Sequence, residues 1–294
     1  MVDLQQPGTL LASQFKKKTI KVAGRLLDFS TPVVMGIINL TPDSFYEGSR
    51  FEANQDKLLQ AAGQMIADGA KILDVGGYST RPGAAEVSEL EESDRVLGAI
   101  EALSQSFPSL IISVDTFRAE VARKAVMAGA SIINDVSGGN LDEGMFGVVA
   151  ESGVPYVLMH MRGTPQTMVK QNRYNNLIRD VVQEIAAKLD KLNSLGVADV
   201  IVDPGFGFAK NVPQNFELLN NLEYFQNLDA ALLIGLSRKS MIWRSLETTA
   251  DESLNGTTAL NMTALQKGAN ILRVHDVKEA VETIKLWKLT TLRN

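Results

Sequence analysis

The chain has 294 residues, 45% hydrophobic and 21% charged, with a formal net charge of −5 and no cysteine. That length exceeds a common domain but suits an α/β barrel folded as one unit, and the apolar content is enough for a large core. An acidic balance with pI about 5.3 argues against a partner that is nucleic acid or an anionic membrane, and the missing cysteines exclude disulfides, a thiol nucleophile and a thiolate metal site.

At the N-terminus no apolar leader precedes Lys16-Lys17-Lys18. The expectation is therefore a cytoplasmic protein without a signal peptide, with residues 1–18 as a flexible start. No apolar run approaches the ~20 residues that cross a bilayer. Thr19–Phe29 reads as a small β-hairpin around Gly24, placed to cover the bottom of a barrel. Short apolar runs then recur: Val33–Ile38, Ile72–Val75, Leu110–Val114, Ser131–Ile133, Tyr156–Met159, Val200–Val202, Leu232–Leu236 and Ile271–Val274. They do not alternate with polar residues, as expected of parallel strands buried on both faces. Helical periodicity lies between them. In Asp56–Asp68, Leu58, Leu59, Ala62, Met65 and Ile66 share one face, and Ala119–Met127 and Leu177–Leu192 repeat the pattern. Gly69, Gly129, Gly196 and Gly268 follow such segments, where a left-handed glycine ends a helix before the next strand. Eight strands alternating with helices predict a (β/α)8 TIM barrel, here one domain over residues 1–294.

In such a barrel all strand C-termini open on one mouth. Read in order, the ends carry Asn39, Asp74, Asp115, Asn134 with Asp135, His160, Asp203, Ser237 to Lys239, and Arg273 with His275. Each alone is more often a turn or cap residue; the set points to one composite site. Asp115, Asn134 and Asp203 offer acceptors and an amide, which suits a flat heterocycle with several N–H donors, such as an aminopyrimidinone. Arg81, Lys239, Arg273 and His275 suit a phosphate or diphosphate. Arg273 and His275, two apart on a strand, point to the same side and can share one anion; the structural alternative pairs Arg273 with an acid such as Asp276. The run Asp203-Pro204-Gly205-Phe206-Gly207-Phe208 adds a strand-end carboxylate and two rings able to fold over a flat ligand. Two long loops, Asn39–Phe45 and Gly76–Gly83, read as substrate covers. Gly235-Leu236-Ser237-Arg238-Lys239-Ser240 lacks Walker A spacing, so an ATPase is excluded, and Lys239 is either a Schiff-base lysine or a fixed cation, the Asp/Asn set favouring the cation.

These motifs together, from Met35-Gly36-Ile37-Ile38-Asn39-Leu40-Thr41-Pro42-Asp43-Ser44-Phe45 through Ser79-Thr80-Arg81-Pro82-Gly83, Ser113-Val114-Asp115-Thr116, Ile133-Asn134-Asp135-Val136-Ser137-Gly138 and the two runs above to Arg273-Val274-His275-Asp276, resemble bacterial dihydropteroate synthases. The resemblance implies a pterin-binding TIM barrel that is a folate-pathway transferase and a sulfonamide target. It implies that Asp115, Asn134, Asp203 and Lys239 bind the pterin, and that Asn39, Arg273 and His275 hold the diphosphate, Asn39 also placing Mg²⁺. Thr80 and Arg81 would come in on the second loop, and Phe45, Pro82, Phe208 and Ser240 would shape the p-aminobenzoate pocket. Chemistry would rest on Asp115, Lys239, Arg273 and His275, in a homodimer whose contact surface the helix Val277–Leu289, with Ile284 and Trp287, could supply; the other reading of that helix is packing on the barrel. Tyr78 stands where Glu is common, Tyr46-Glu47-Gly48-Ser49 where Ser-Asp-Gly-Gly is common, and Ala209 where Gly is frequent. The competing readings are a corrinoid-linked methyltransferase domain, a Schiff-base aldolase and a non-catalytic pterin carrier.

Overall fold

The computed structural model describes residues 19–40, 51–78 and 87–291. Phe45, Glu47, Thr80, Arg81 and Pro82 lie outside them. The hairpin comes first: β1 (Thr19–Val22) pairs antiparallel with β2 (Arg25–Asp28). Its two-residue turn has Ala23 at φ +47° and Gly24 at φ +73°, the paired positive values that match the twist of a tight hairpin.

Eight parallel strands follow: β3 (Val33–Asn39), β4 (Ile72–Gly76), β5 (Ile111–Asp115), β6 (Ile132–Asp135), β7 (Tyr156–Met159), β8 (Val200–Asp203), β9 (Ala231–Ile234) and β10 (Ile271–Val274). They close into a barrel, β10 lying beside β3 with Ile271 opposite Val33. The helices are α1 (Phe51–Asp68), α2 (Glu89–Ser106), α3 (Ala119–Met127), α4 (Met145–Ser152), α5 (Leu177–Ser194), α6 (Val212–Asn220), α7 (Ser240–Ser245), α8 (Leu254–Gln266) and α9 (Val277–Thr291). Local signals start several of them. Ser88 accepts from the Glu91 amide ahead of α2, Asn176 from the Arg179 amide ahead of α5, and Asn211 forms a full capping box with Gln214 at α6.

The eight predicted strands are all present, with shifted ends. Asn39, Asp115, Asn134, Asp135 and Asp203 sit inside the strands rather than after them. Ladder pairing uses only backbone groups, so a polar side chain does not end a strand whose neighbours continue. The predicted run to Leu236 instead stops at Ile234.

Strand alternation sorts the side chains. One parity (Val34, Ile38, Leu73, Val75, Ile112, Val114, Ile133, Leu158, Val202, Leu272) packs outward under the helices. The other (Val33, Met35, Ile72, Ile111, Ile132, Val157, Ile201, Leu233, Ile271) fills the lumen near the strand starts, and Ile20, Val22 and Phe29 of the hairpin region join that cluster. The hairpin does cover the barrel bottom. Each such fully buried aliphatic side chain contributes about 1.5–3 kcal/mol of transfer free energy. On α9, Val277, Ala280, Ile284 and Trp287 fall at helical spacing and pack against the outer core, so Ile284 and Trp287 follow the barrel-packing reading; the outward apolar residues there are Leu286 and Leu289.

Candidate active site

The inward parity that is apolar at the strand starts turns polar at their ends. Asp74, Ser113, Asn134 and Asp203 are buried, and Asp115 nearly so, at the mouth end of the lumen, on the adjacent strands β4, β5 and β6 and on β8 beyond β7. Registers fix their neighbours: Asp74 stands opposite Ser113, and Asp115 opposite Asn134. Arg273 joins them from β10. Its Nε donates to Asp74 Oδ2 at 2.6 Å and its Nη2 to Asp115 Oδ2 at 2.5 Å. Asn134 Nδ2 donates to the same Asp74 oxygen at 2.8 Å. Asp276, the acid considered for Arg273, is instead held by the Nε and Nη2 donors of Arg238. Arg273 therefore belongs to the carboxylate set, and its Nη1 end has no protein partner among the described residues. His275 stands one step outward, its Nδ1 3.0 Å from Ser237 Oγ, which also accepts from the His275 amide.

Burial raises the Asp115 carboxyl to about 7, the Arg273 charge opposing and Asp74, Glu92 and Asp135 adding to the rise. Burial also raises Asp203, against the pull of Lys239 and of the Gly205 amide. That amide reaches Asp203 Oδ1 at 2.7 Å. The turn needs Gly205: at φ +74°, an added Cβ would stand 2.0 Å from the His160 carbonyl oxygen.

Lys239 arrives after β9, between the strands that carry Asp203 and Arg273, at the start of α7. Its Nζ donates to the Phe206 carbonyl and lies 4.7 Å from the Phe208 ring centroid, and burial lowers its ammonium to about 8. Ser240 follows it, half-buried. The two rings of the β8 loop part company. Phe208 is half-buried beside Val136, Met159, Met161 and Met168, whereas Phe206 is wholly buried in the outer core, so only Phe208 can lie against a ligand. Asn39 ends β3 with its side chain in the inward parity and partly exposed. Tyr78, at the start of the second loop, packs edge-on to Phe117 at 5.2 Å.

Two expected mouth residues face outward. Asp135 accepts from the Ser137 and Gly139 amides and from Tyr156 Oη, clamping the turn after β6. His160 lies behind β8. Its Nε2 is 3.0 Å from Glu184 and its Nδ1 3.1 Å from Lys210 Nζ. A carboxylate only accepts, so the ring proton sits on Nε2, facing Glu184, and Nδ1 accepts from Lys210, whose ammonium is lowered to about 7 by burial. Burial lowers this imidazole to about 4. Lys210 also donates to the carbonyls of Gly205 and Phe208 at 3.0 and 3.1 Å, so its three protons staple the loop that carries Asp203 and Phe208. Nothing in the sequence marks Lys210 for this task. Lys210→Met leaves those three acceptors without a donor and is expected to cost about 2–4 kcal/mol, read as a lower urea midpoint; an unchanged midpoint would refute the staple.

Residues 35–275 match the pterin binding enzyme family. The dihydropteroate synthase of Escherichia coli K12 is 44% identical over 270 residues, covering 91% of this chain and 94% of its own length. Among solved structures, the dihydropteroate synthase of Yersinia pestis in a sulfonamide drug complex superposes with a TM-score of 0.86 at 41% identity, covering 92% of this chain and 98% of that one. That of Xanthomonas albilineans in complex with 7,8-dihydropteroate gives 0.83 at 34% identity, with 94% and 100% coverage.

Proposed function

The chain belongs to the dihydropteroate synthase family of pterin-binding enzymes, and from that premise we propose how its own residues divide the work. The reaction joins 6-hydroxymethyl-7,8-dihydropterin diphosphate to p-aminobenzoate and releases 7,8-dihydropteroate and diphosphate. The observation that carries the assignment is the hydrogen-bonded set of Asp74, Asp115, Asn134 and Arg273 at the barrel mouth, with Asp203 buried at the end of β8.

The pterin takes the floor. Asp115 and Asp203 accept from its N–H groups, Asn134 adds an amide, and Lys239 donates to a ring acceptor. The diphosphate takes the rim, where the free Nη1 end of Arg273, His275 and Asn39 meet it. Phe208 and Ser240 border the p-aminobenzoate.

The bond from the pterin methylene carbon to the bridging oxygen breaks, and its electron pair leaves with diphosphate. The aryl amine, a weak base already neutral at pH 7, attacks that carbon and then loses its proton to water. Asp115 and Asp203 favour the positive charge that develops on the pterin, while Arg273 and His275 favour the negative charge on the leaving group. Among the described residues no cluster of three His, Cys, Asp or Glu could cage a metal, and Asn39 offers one amide oxygen. That set fits Mg²⁺, which keeps most of its waters and enters with phosphate. Asn39 would hold it, and it would supply charge that offsets the diphosphate.

Diphosphate release is measured with and without p-aminobenzoate, with Mg²⁺ or a chelator, alongside mass detection of dihydropteroate. Release that requires p-aminobenzoate and equals product supports the reading. Release without it, or turnover untouched by chelation, overturns the corresponding part. We place the enzyme in the cytoplasm as a homodimer; a solution mass equal to the 31.9 kDa monomer would refute the dimer, and recovery in a membrane or extracellular fraction the location. Among the described residues no helix is long and apolar enough to cross a membrane.

The Asp115 shift sets a pH dependence. A ligand that bonds to the ionised carboxylate binds fully above about 7 and loses affinity as the pH falls below it, by roughly tenfold per unit. Calorimetry with unphosphorylated 6-hydroxymethyl-7,8-dihydropterin avoids titration of the diphosphate. The slope is expected to vanish in Asp115→Asn; a slope that persists there belongs to another group.

A further inference from the structure

The geometry points to Asp74 as the positioning residue that fixes which end of the Asn134 amide faces the substrate, and so the donor–acceptor pattern the site can read. The inference rests on the pterin reading of Asn134.

Asp74 is fully buried at the middle of β4. Its Oδ2 receives two donors, Asn134 Nδ2 at 2.8 Å and Arg273 Nε at 2.6 Å. Against a carboxylate oxygen only the NH2 end of an amide can bond, so the orientation of Asn134 follows from chemistry. Oδ1 is thereby turned away from Asp74, and it has no protein partner among the described residues. The site then presents an acceptor at this point, and an N–H group on the ring edge satisfies it. An amide free to rotate would present NH2 half the time and would equally admit a ring nitrogen lone pair. The same Asp74 oxygen holds the Arg273 side chain so that its other donors reach Asp115 and the rim. One buried carboxylate thus orders a reading group for the heterocycle and a cation for the anion.

The other Asp74 oxygen supplies the control. Oδ1 is buried without a hydrogen-bond partner among the described residues, as is Ser113 Oγ on the strand position opposite. Asparagine can keep its carbonyl where Oδ2 stands and place its NH2 where Oδ1 stands, which preserves both bonds that matter. Valine fills similar space and accepts nothing.

The test measures binding of 6-hydroxymethyl-7,8-dihydropterin by calorimetry and both Michaelis constants in the intact enzyme, with thermal melts on every variant. Asp74→Val is expected to weaken the pterin by about ten- to a hundredfold and raise KM for the pterin diphosphate, leaving KM for p-aminobenzoate unchanged. Asp74→Asn is expected to recover pterin binding to within about threefold. If Asp74→Asn is as weak as the valine variant, or both Michaelis constants rise together, the orienting role is overturned. If Asp74→Val fails to fold, the asparagine arm still decides. Asn134→Ala separates the two levels: if it leaves pterin affinity intact, the pterin reading of that residue fails, whereas a loss there with none in Asp74→Val refutes this inference alone.

Discussion

Asp203→Ala is expected to lower kcat/KM for the pterin diphosphate by about a thousandfold or more. Asp203 is buried at the end of β8, and its Oδ1 is already taken by the Gly205 amide. Oδ2 is the acceptor left for the pterin ring in the proposed placement. Alanine removes that acceptor, orphans the Gly205 N–H, and strips Lys239 of the negative charge that offsets its burial. A site built to hydrogen-bond a substrate loses four to five powers of ten when such a pair is missing, and truncating a buried charged partner costs about 2–5 kcal/mol, roughly thirty- to a few thousandfold, so about a thousandfold lies where the two ranges approach each other. Asp203→Asn discriminates between local and global causes. It keeps an oxygen for Gly205 and hence the turn, but sets NH2 against the ring N–H. Its kcat/KM should fall as far as that of the alanine variant while its melting temperature stays near that of the parent. Near-normal efficiency in either variant would remove Asp203 from the pterin site.

Arg273→Met carries the second large effect, on stability as well as rate. The guanidinium bridges Asp74 and Asp115, and removing it leaves two carboxylates side by side in the lumen, one fully buried. Deleting one partner of a buried ion network costs about 3–5 kcal/mol, roughly 10 °C in melting temperature for a chain of this size. Turnover should be lost too, since the rim cation goes with it. Arg273→Lys does not rescue: a single ammonium lacks the fork that reaches two acids at once. A melting temperature within a degree or two of the parent would show that the acids take up protons at little cost.

The barrel was legible because its signal is periodic and local. Non-alternating runs with glycine stops mark Val33–Ile38 and Tyr156–Met159 without any tertiary knowledge. Most of the mouth was legible too, since a polar residue ending an apolar run is a visible event at Asp115 and Asp203. What escaped depends on parity and distance. Asp135 and His160 also end such runs, but they point outward, because successive residues of a strand alternate faces. Counting parity from Ile72 would have placed Asp74 in the lumen with Asp115. The partnership of Arg273 with Asp74, 199 residues apart, and the stapling by Lys210 have no counterpart in the chain's local pattern. They exist only once eight strands have closed.

The hairpin has a kinetic consequence. With Ile20, Val22 and Phe29 packed against the lumen's apolar plug, the described residues close the barrel at its strand starts and leave the mouth as the way in. Both substrates enter and both products leave over the same rim, and the carboxylate floor lies beneath everything else. On the placement proposed above, the occupant of that floor arrives first and departs last, an order of events set by the shape of the fold and encoded by no single side chain.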